Sequence, residues 1–470
     1  MSTIDFSQKI NSTSTRRRVA IIGAGLVGSL SAIYFAKRGW DVLLFELRKD
    51  LRVPESTPSY LHRSINLALS ARGISALRIA GSNLIDVVLS QATPMKGRMI
   101  HTGEGKLHSQ LYGTFGECTY SVDRAKLLML LLDNAEEFKN VKIYFEHRLK
   151  RCDFDAGVLD VENINEGTSS KIEADLVVGA DGTYSTVRTQ LMRVVRMNYQ
   201  QEFISHAYCE LRIPPKRNEK GEFEFAMDPH HLHIWPRHTF MLIALPNLDK
   251  SFTCTLFMPY EQFDAIKTEG DLIAFFQLYY QDALPLIGEQ NIKKDYFLNP
   301  KGSLISIKCS PYHYKDRVVI IGDAAHSMVP FFGQGMNCGF QDVEILYEIL
   351  EQHNINPEKP QINNINTDNT KEMKFRKDLE RALDTYTQFR HIDVTAICDL
   401  AIAKEIRGMV ALAVPESHNS AVHYGKLFHY AVFGSSAEME TTKFLGECGR
   451  RIDHFGYFCD VGVGIAVWQL

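Results

Sequence analysis

The nine cysteines of this 470-residue chain are scattered, with no C-x-x-C pair and no pairing rhythm. That spacing argues against a disulfide framework and a structural zinc site, and fits a reducing compartment. No run of eighteen or more apolar residues occurs, so no clear membrane span is legible. The net charge is only −4, which gives no support to nucleic acid or an anionic membrane as a partner. The opening residues, MSTIDFSQKINSTSTRRR, lack the apolar stretch of a secretory signal. Asp5 also makes them a poor mitochondrial presequence, and residues 1–17 are expected to be a disordered lead-in. No internal repeat is visible. What is present is ordinary globular composition, 45% hydrophobic and 23% charged, enough for one large domain or two to three smaller ones.

Residues 18–46, RVAIIGAGLVGSLSAIYFAKRGWDVLLFE, change period cleanly. An apolar run (Val19 to Ile22), a glycine turn, a helix ending near Gly39 and a second run (Val42 to Phe45) spell a βαβ unit. The runs at 141–146, 174–181 and 316–324 read as further strands of one parallel sheet. Between the last two, LHIWPRHTFMLIALP and KSFTCTLFMP read as antiparallel strands of a second sheet. The fold class is therefore α/β: a Rossmann-type dinucleotide domain with an interleaved domain on an antiparallel sheet, then C-terminal helices. The expected bounds are 18–195 with 310–350 for the first, including part of 50–120 near a substrate pocket, and 196–309 for the second. Residues 351–374, rich in Asn and Pro, are expected to form a mobile loop, and 375–403 a helical segment.

Three motifs carry chemistry. Gly23-x-Gly25-x-x-Gly28 follows a strand and opens a helix. Gly23 permits the tight turn, Gly25 lets a pyrophosphate approach the backbone, and Gly28 lets helix pack on strand. Glu46 ends the next strand, where a carboxylate accepts from a ribose. The second motif is Asp181-Gly182, a common turn made more specific by the apolar strand before it and the S-x-V-R after it. The third is GDAAHSMVPFFGQGMNCGFQD (322–342). Asp323 ends a strand, glycines follow, and a helix starts near Met336. Such a segment brings backbone N–H groups and a helix N-terminus against a flat ring and favours negative charge there. His326 tempts as a general base but reads as structural. The H-x-H in HHLHIW makes no metal case, since no third or fourth ligand is spaced to complete a site.

In this order and spacing, G-x-G-x-x-G, D-G and G-D resemble the single-component FAD-dependent aromatic hydroxylases of the para-hydroxybenzoate hydroxylase type. RSINLALSARG, PMKGRMIH, QLYGT, HLHIWPR, SFTCTLFMP and VPFFGQGMNCGF narrow the resemblance to the kynurenine 3-monooxygenases, from about residue 18 to about 400. The resemblance implies non-covalently bound FAD, with NADPH and O2 as co-substrates. It implies conversion of L-kynurenine to 3-hydroxykynurenine, on the route from tryptophan to NAD. It also implies a place on the cytosolic face of the mitochondrial outer membrane. A single G-x-G-x-x-G fits a class in which NADPH visits the flavin transiently rather than occupying its own domain.

Carried over by motif, Val27, Glu46 and Arg48 match FAD contacts near the glycine turn and adenosine. Ala68, Arg124, Leu149 and Thr186 match further FAD positions, with simple packing as the bland reading for Ala68 and Leu149. Asp323, Gly335, Met336 and Asn337 fall beside the ribityl chain and ring. Arg98 and Tyr112 match the substrate pair: arginine grips a carboxylate bidentately, and tyrosine adds a hydroxyl beside an aromatic face. Phe331 and Gln334 either line the pocket or brace the loop. No metal is expected.

The resemblance stops near residue 404, and no membrane anchor is legible beyond it. Residues 404–470 are either a diverged segment or a mispredicted terminal stretch, so no substrate residue is assigned there. Two other readings stay open, a hydroxylase of another aromatic acid and a flavin-binding protein without activity.

Overall fold

The computed structural model describes residues 15–53, 66–113, 115–237, 239–359 and 365–411. The apolar runs form a six-stranded sheet in the order His313–Tyr314, Val318–Ile320, Leu176–Gly179, Arg18–Ile22, Asp41–Phe45, Val141–Tyr144. Its neighbours are parallel except at the His313–Tyr314 edge. Val19, Ile21, Val42, Leu44, Leu176, Val178 and Val318 are fully buried, as strands covered on both faces require. The helix Leu26–Lys37 is buried almost all round and packs against the helices Arg124–Glu136 and Gly335–Gln352. A three-stranded antiparallel sheet, His147–Asp153, Val158–Asn163 and Thr168–Glu173, adds Leu149, Leu159, Val161 and Ile172 to the same core.

The second sheet has seven strands, in the order Gly302–Ser310, Asn198–Ile213, Phe252–Pro259, Phe240–Pro246, His231–Arg237, Gly97–His101, Leu107–Leu111. Only the pairing of His231–Arg237 with Gly97–His101 is parallel. Alternation sends Trp235, Phe252, Leu256 and Met258 into a core shared with the helices Glu269–Tyr279 and Glu289–Leu298. Ile100, Ile234, Met241 and Phe257 pack instead with Val329, Phe331 and Phe332, on the side of the glycine-rich loop.

Three expected boundaries move. Arg17 does not belong to a loose lead-in: it is 2% exposed, stacks 3.3 Å from the Phe375 ring centroid and pairs with Glu372 at 2.7 Å. Residues 365–374 are not loop, because the last described helix runs Ile365–Ala411. Its first turns are held by the Arg376–Glu372 pair (2.8 Å) and by Arg376 on Asp175 (3.0 Å). The helical segment thus begins before 375 and its backbone continues past 403. Residues 1–14 and 412–470, and with them most of the atypical C-terminus, lie outside the described residues.

Behind the second sheet, the histidines of HLHIW spend their nitrogens on hydrogen bonds. His233 Nδ1 meets His101 Nε2 at 2.8 Å, and His101 Nδ1 meets Asp282 Oδ2 at 3.0 Å. His233 Nε2 donates to the Asp228 carbonyl at 2.8 Å, and His231 lies between Asp228 and Ser109. Burial pushes His233 down to about 4, against the Asp228 carbonyl that favours its proton. A neutral buried histidine contributes stability that is full above about pH 6.5 and lost as pH falls towards 4, at most on the order of 3 kcal/mol. Urea unfolding of wild type and His233→Asn at pH 7 and pH 4.5 tests this. The wild type's advantage shrinks at the lower pH; an unchanged gap contradicts a neutral His233.

Candidate active site

The glycine turn is forced by contact. Gly23 has φ +99°, and a Cβ there would lie 2.5 Å from the Ala180 carbonyl oxygen. A Cβ on Gly28 would lie 1.8 Å from the Gly23 oxygen. Gly25 differs: it caps the helix Leu26–Lys37 at φ −75°, and nothing lies within 4 Å of a Cβ built on it. The first intrahelical bond is Ser29 N to Gly25 O at 2.9 Å. The N–H groups of Leu26, Val27 and Gly28 therefore have no intrahelical partner, and the space beside Gly25 at this positive helix end is open, as a pyrophosphate needs.

Glu46 is locked against this turn. Its Oε2 accepts from Ala24 N at 2.9 Å, and its Oε1 accepts from Arg48 N and Nε at 2.9 and 2.8 Å. A carboxylate offers about four lone-pair sites, and the fourth is met only by a long contact from Arg48 Nη2 to Oε2 at 3.4 Å, the one a ribose hydroxyl could replace. The Val27 side chain faces the third motif: its Cγ2 lies 3.2 and 2.5 Å from where a Cβ would stand on Gly322 and Gly339. Val27 thus joins the two glycine segments by packing and leaves its backbone N–H for a ligand. Leu149 is a 5% exposed core residue, near the site only because His147 N donates to the Glu46 carbonyl at 2.8 Å.

The D-G aspartate is used by the fold. Asp181 Oδ1 accepts from Ser185 Oγ at 2.5 Å, and Oδ2 accepts from Thr186 N and Val187 N at 2.7 and 3.1 Å. Together with the N-cap Ser185, whose Oγ accepts from Arg188 N, it satisfies the first N–H groups of the helix Thr186–Leu191, and Thr186 is exposed at its first turn.

Asp323 is different. It sits in a tight turn after the strand Val318–Ile320, behind Gly322 at φ +59°. Its side chain is exposed in a cleft walled by protein and makes no side-chain hydrogen bond among the described residues. The protein walls around it partly desolvate the carboxylate and push its pKa up, and the charges of His326 and Arg124 partly offset this. Arg124 itself is exposed, on the first turn of the helix Arg124–Glu136.

Beyond it, Pro330–Phe332 forms one turn and Gly333 adopts φ +62°. The helix Gly335–Gln352 then begins, one residue before the expected Met336. Cys338 N to Gln334 O (2.8 Å) is its first intrahelical bond, so the N–H groups of Gly335, Met336 and Asn337 are the unpaired donors of its first turn. The Asn337 side chain ties the loop together: Nδ2 donates to the Ala68 and Gly333 carbonyls at 2.8 and 3.1 Å, and Oδ1 accepts from Ser70 N at 2.9 Å. Ser70 Oγ and Gln334 Oε1 are buried without a hydrogen-bond partner among the described residues. Buried polar atoms rarely stay unsatisfied. Together with the open Gly25 cradle and the accessible Asp323, they fit a polar, flat-ringed dinucleotide.

Arg98 and Tyr112 come together across the edge of the second sheet. Both are 7% exposed, and the guanidinium carbon lies 5.9 Å from the tyrosine ring centroid. Burial lowers the pKa of Arg98 and raises that of Tyr112, which is the signature of polar groups held in an apolar pocket. Tyr112 packs with Met95, Leu245, Leu232, Ile243 and Ala68. Ala68 also lies against Gly333, 3.7 Å from a Cβ position there, so one residue joins the Arg98–Tyr112 pocket to the ring loop. Phe331 meets Phe257 edge-on at 5.4 Å and covers the apolar sheet face beside that pocket.

Three structural features beside these motifs were not read from the sequence: the buried Ser70 hydroxyl, the ion pair of Asp342 with Arg390 at 2.6 Å, and the use of Gly322 and Gly339 as seats for Val27. Only the glycines left a sequence signal.

Known proteins resemble this chain in sequence and in fold. A family model described as "FAD binding domain" matches residues 16–355. The chain is 46% identical over 393 residues to kynurenine 3-monooxygenase of Drosophila willistoni, covering 83% of this chain and 79% of that one. It is 43% identical over 387 residues to the kynurenine 3-monooxygenase of Sus scrofa, covering 82% and 75%. Among solved structures, 2-methyl-3-hydroxypyridine-5-carboxylic acid oxygenase shares the fold at TM-score 0.65 and 19% identity, covering 88% of this chain and 96% of that one. PqsL of P. aeruginosa does so at TM-score 0.62 and 19% identity, covering 83% and 96%. With the family model spanning most of its length and relatives above 40% identity over four fifths of it, the chain belongs to the kynurenine 3-monooxygenase family of FAD-dependent monooxygenases.

Proposed function

We propose that this protein hydroxylates L-kynurenine to 3-hydroxykynurenine, with FAD as bound cofactor and NADPH and O2 as co-substrates. The observation that carries the substrate reading is the buried Arg98–Tyr112 pair, joined through Ala68 to the loop that starts the helix Gly335–Gln352. When bound, FAD reduced by NADPH supplies the oxygen-activating chemistry. The chain's own residues do the rest. The Gly25 cradle and the N-terminus of the helix Leu26–Lys37 receive the pyrophosphate, Glu46 the adenosine ribose and Asp323 the ribityl hydroxyls. The N–H groups of Gly335 to Asn337, at the N-terminus of the helix Gly335–Gln352, would favour negative charge on a ring held beside them. Arg98 holds the amino-acid carboxylate, Tyr112 flanks it, and Phe331 with the apolar sheet face excludes water from the aromatic end.

Among the described residues no helix is long and apolar enough to cross a membrane. Residence on the cytosolic face of the mitochondrial outer membrane is proposed from the family alone. The test is NADPH oxidation by the purified FAD-loaded protein with and without L-kynurenine. The substrate is expected to accelerate oxidation by at least about tenfold, as a carboxylate-gripping site coupled to the flavin loop requires. A rate indifferent to L-kynurenine but raised by another aromatic acid transfers the reading to that acid.

A further inference from the structure

Asp342 lies on the helix Gly335–Gln352 and Arg390 on the helix Ile365–Ala411, and both are fully buried. A buried carboxylate needs donors and a counter-charge. Asp342 has both. Its Oδ2 accepts from Gly322 N at 2.7 Å and from His326 Nε2 at 2.6 Å, and its Oδ1 accepts from Arg390 Nε at 2.6 Å. Burial alone would raise its pKa; the charges of His326 and Arg390 outweigh this and hold it below the ordinary carboxylate value. Arg390 also donates through Nη2 to the Cys338 carbonyl at 3.0 Å and pairs with Asp393.

Two consequences follow from where these bonds land. Gly322 immediately precedes Asp323 and holds a left-handed φ of +59°, so the bond from its N–H anchors the Ile321–Gly322 peptide, which enters the turn that carries Asp323. Arg390 brings in the long C-terminal helix, whose Ile397 packs with Cys338 and whose Ala401 packs with Phe331 and Phe332. We propose that Asp342 and Arg390 are positioning residues that clamp the Gly322–Asp323 turn and couple the docking of the C-terminal helix to retention of FAD. The proposal rests on the reading of Asp323 as the ribityl-binding carboxylate, and the experiment separates the two.

The measurement is release of FAD from the full-chain holoprotein on dilution, followed by recovery of flavin fluorescence, for Asp323→Asn, Asp342→Asn and the double variant. Each single substitution is expected to speed release by about tenfold or more. The double variant is expected to release no more than about threefold faster than Asp323→Asn alone, because residues acting through one another are non-additive. Multiplicative effects overturn the clamp and leave the Asp323 reading standing. Wild-type release from Asp323→Asn overturns that reading by itself. Arg390→Lys keeps the charge but cannot span Asp342 and the Cys338 carbonyl together. It supplies the same cycle should Asp342→Asn not accumulate, and is expected to speed release only where Asp323 is intact. A lowered unfolding temperature with unchanged release, in either variant, marks a merely structural network and overturns the proposal.

Discussion

Arg98→Ala is expected to lower kcat/KM for L-kynurenine by two to three orders of magnitude while leaving the FAD absorption spectrum and flavin retention as in wild type. A charge-assisted hydrogen bond to a carboxylate, made in a pocket as dry as the one around Arg98 and Tyr112, is worth roughly 2–4 kcal/mol when one partner is removed. Arg98→Lys keeps the charge but loses the planar fork, and recovers only part of the activity. Steady-state kinetics over a range of L-kynurenine concentrations check both. A kcat/KM within about threefold of wild type for Arg98→Ala removes this residue from substrate binding.

The second large effect separates folding from cofactor binding within one motif. A Cβ on Gly28 would stand 1.8 Å from a backbone oxygen, and neither neighbour is a flexible side chain that yields. Gly28→Ala is therefore expected to lose several kcal/mol of stability together with FAD, since overpacking at the backbone costs at least about 1–3 kcal/mol. Gly25 has φ −75°, ordinary for alanine, and open space around it. Gly25→Ala is expected to fold with an unchanged unfolding temperature when free of FAD, yet to bind FAD about tenfold or more weakly, because its methyl stands where the phosphates approach. Thermal unfolding of the flavin-free proteins and FAD titration distinguish the two. Equal behaviour of the variants contradicts the division of labour between the two glycines.

The parts of the fold that were legible from sequence are those dictated locally. Apolar runs that must be buried on both faces, and glycines that alone fit a crowded turn, marked the parallel sheet and the turn at residues 23–28. Alternation from Leu232 to Pro246 marked the second sheet in the same way. Asp181 shows the limit of motif reading: the dipeptide was recognised, but its carboxylate is spent on capping the helix Thr186–Leu191. Arg17 and residues 365–374 looked unstructured because their composition is basic or Asn-rich. They are ordered by ion pairs to Asp175 and Glu372, partners more than a hundred residues away from at least one end of each contact. Asp342 and Arg390 were not singled out for the same reason: they lie 48 residues apart, and nothing local marks them as a pair until the fold buries them together.

The central claim is that oxygen goes to the kynurenine ring. The most direct test supplies the purified protein with FAD, NADPH, L-kynurenine and isotopically labelled O2, and follows 3-hydroxykynurenine by mass spectrometry alongside NADPH consumption. The account predicts product carrying one labelled oxygen and formed in step with NADPH. NADPH consumption that yields peroxide and no hydroxylated product would contradict it.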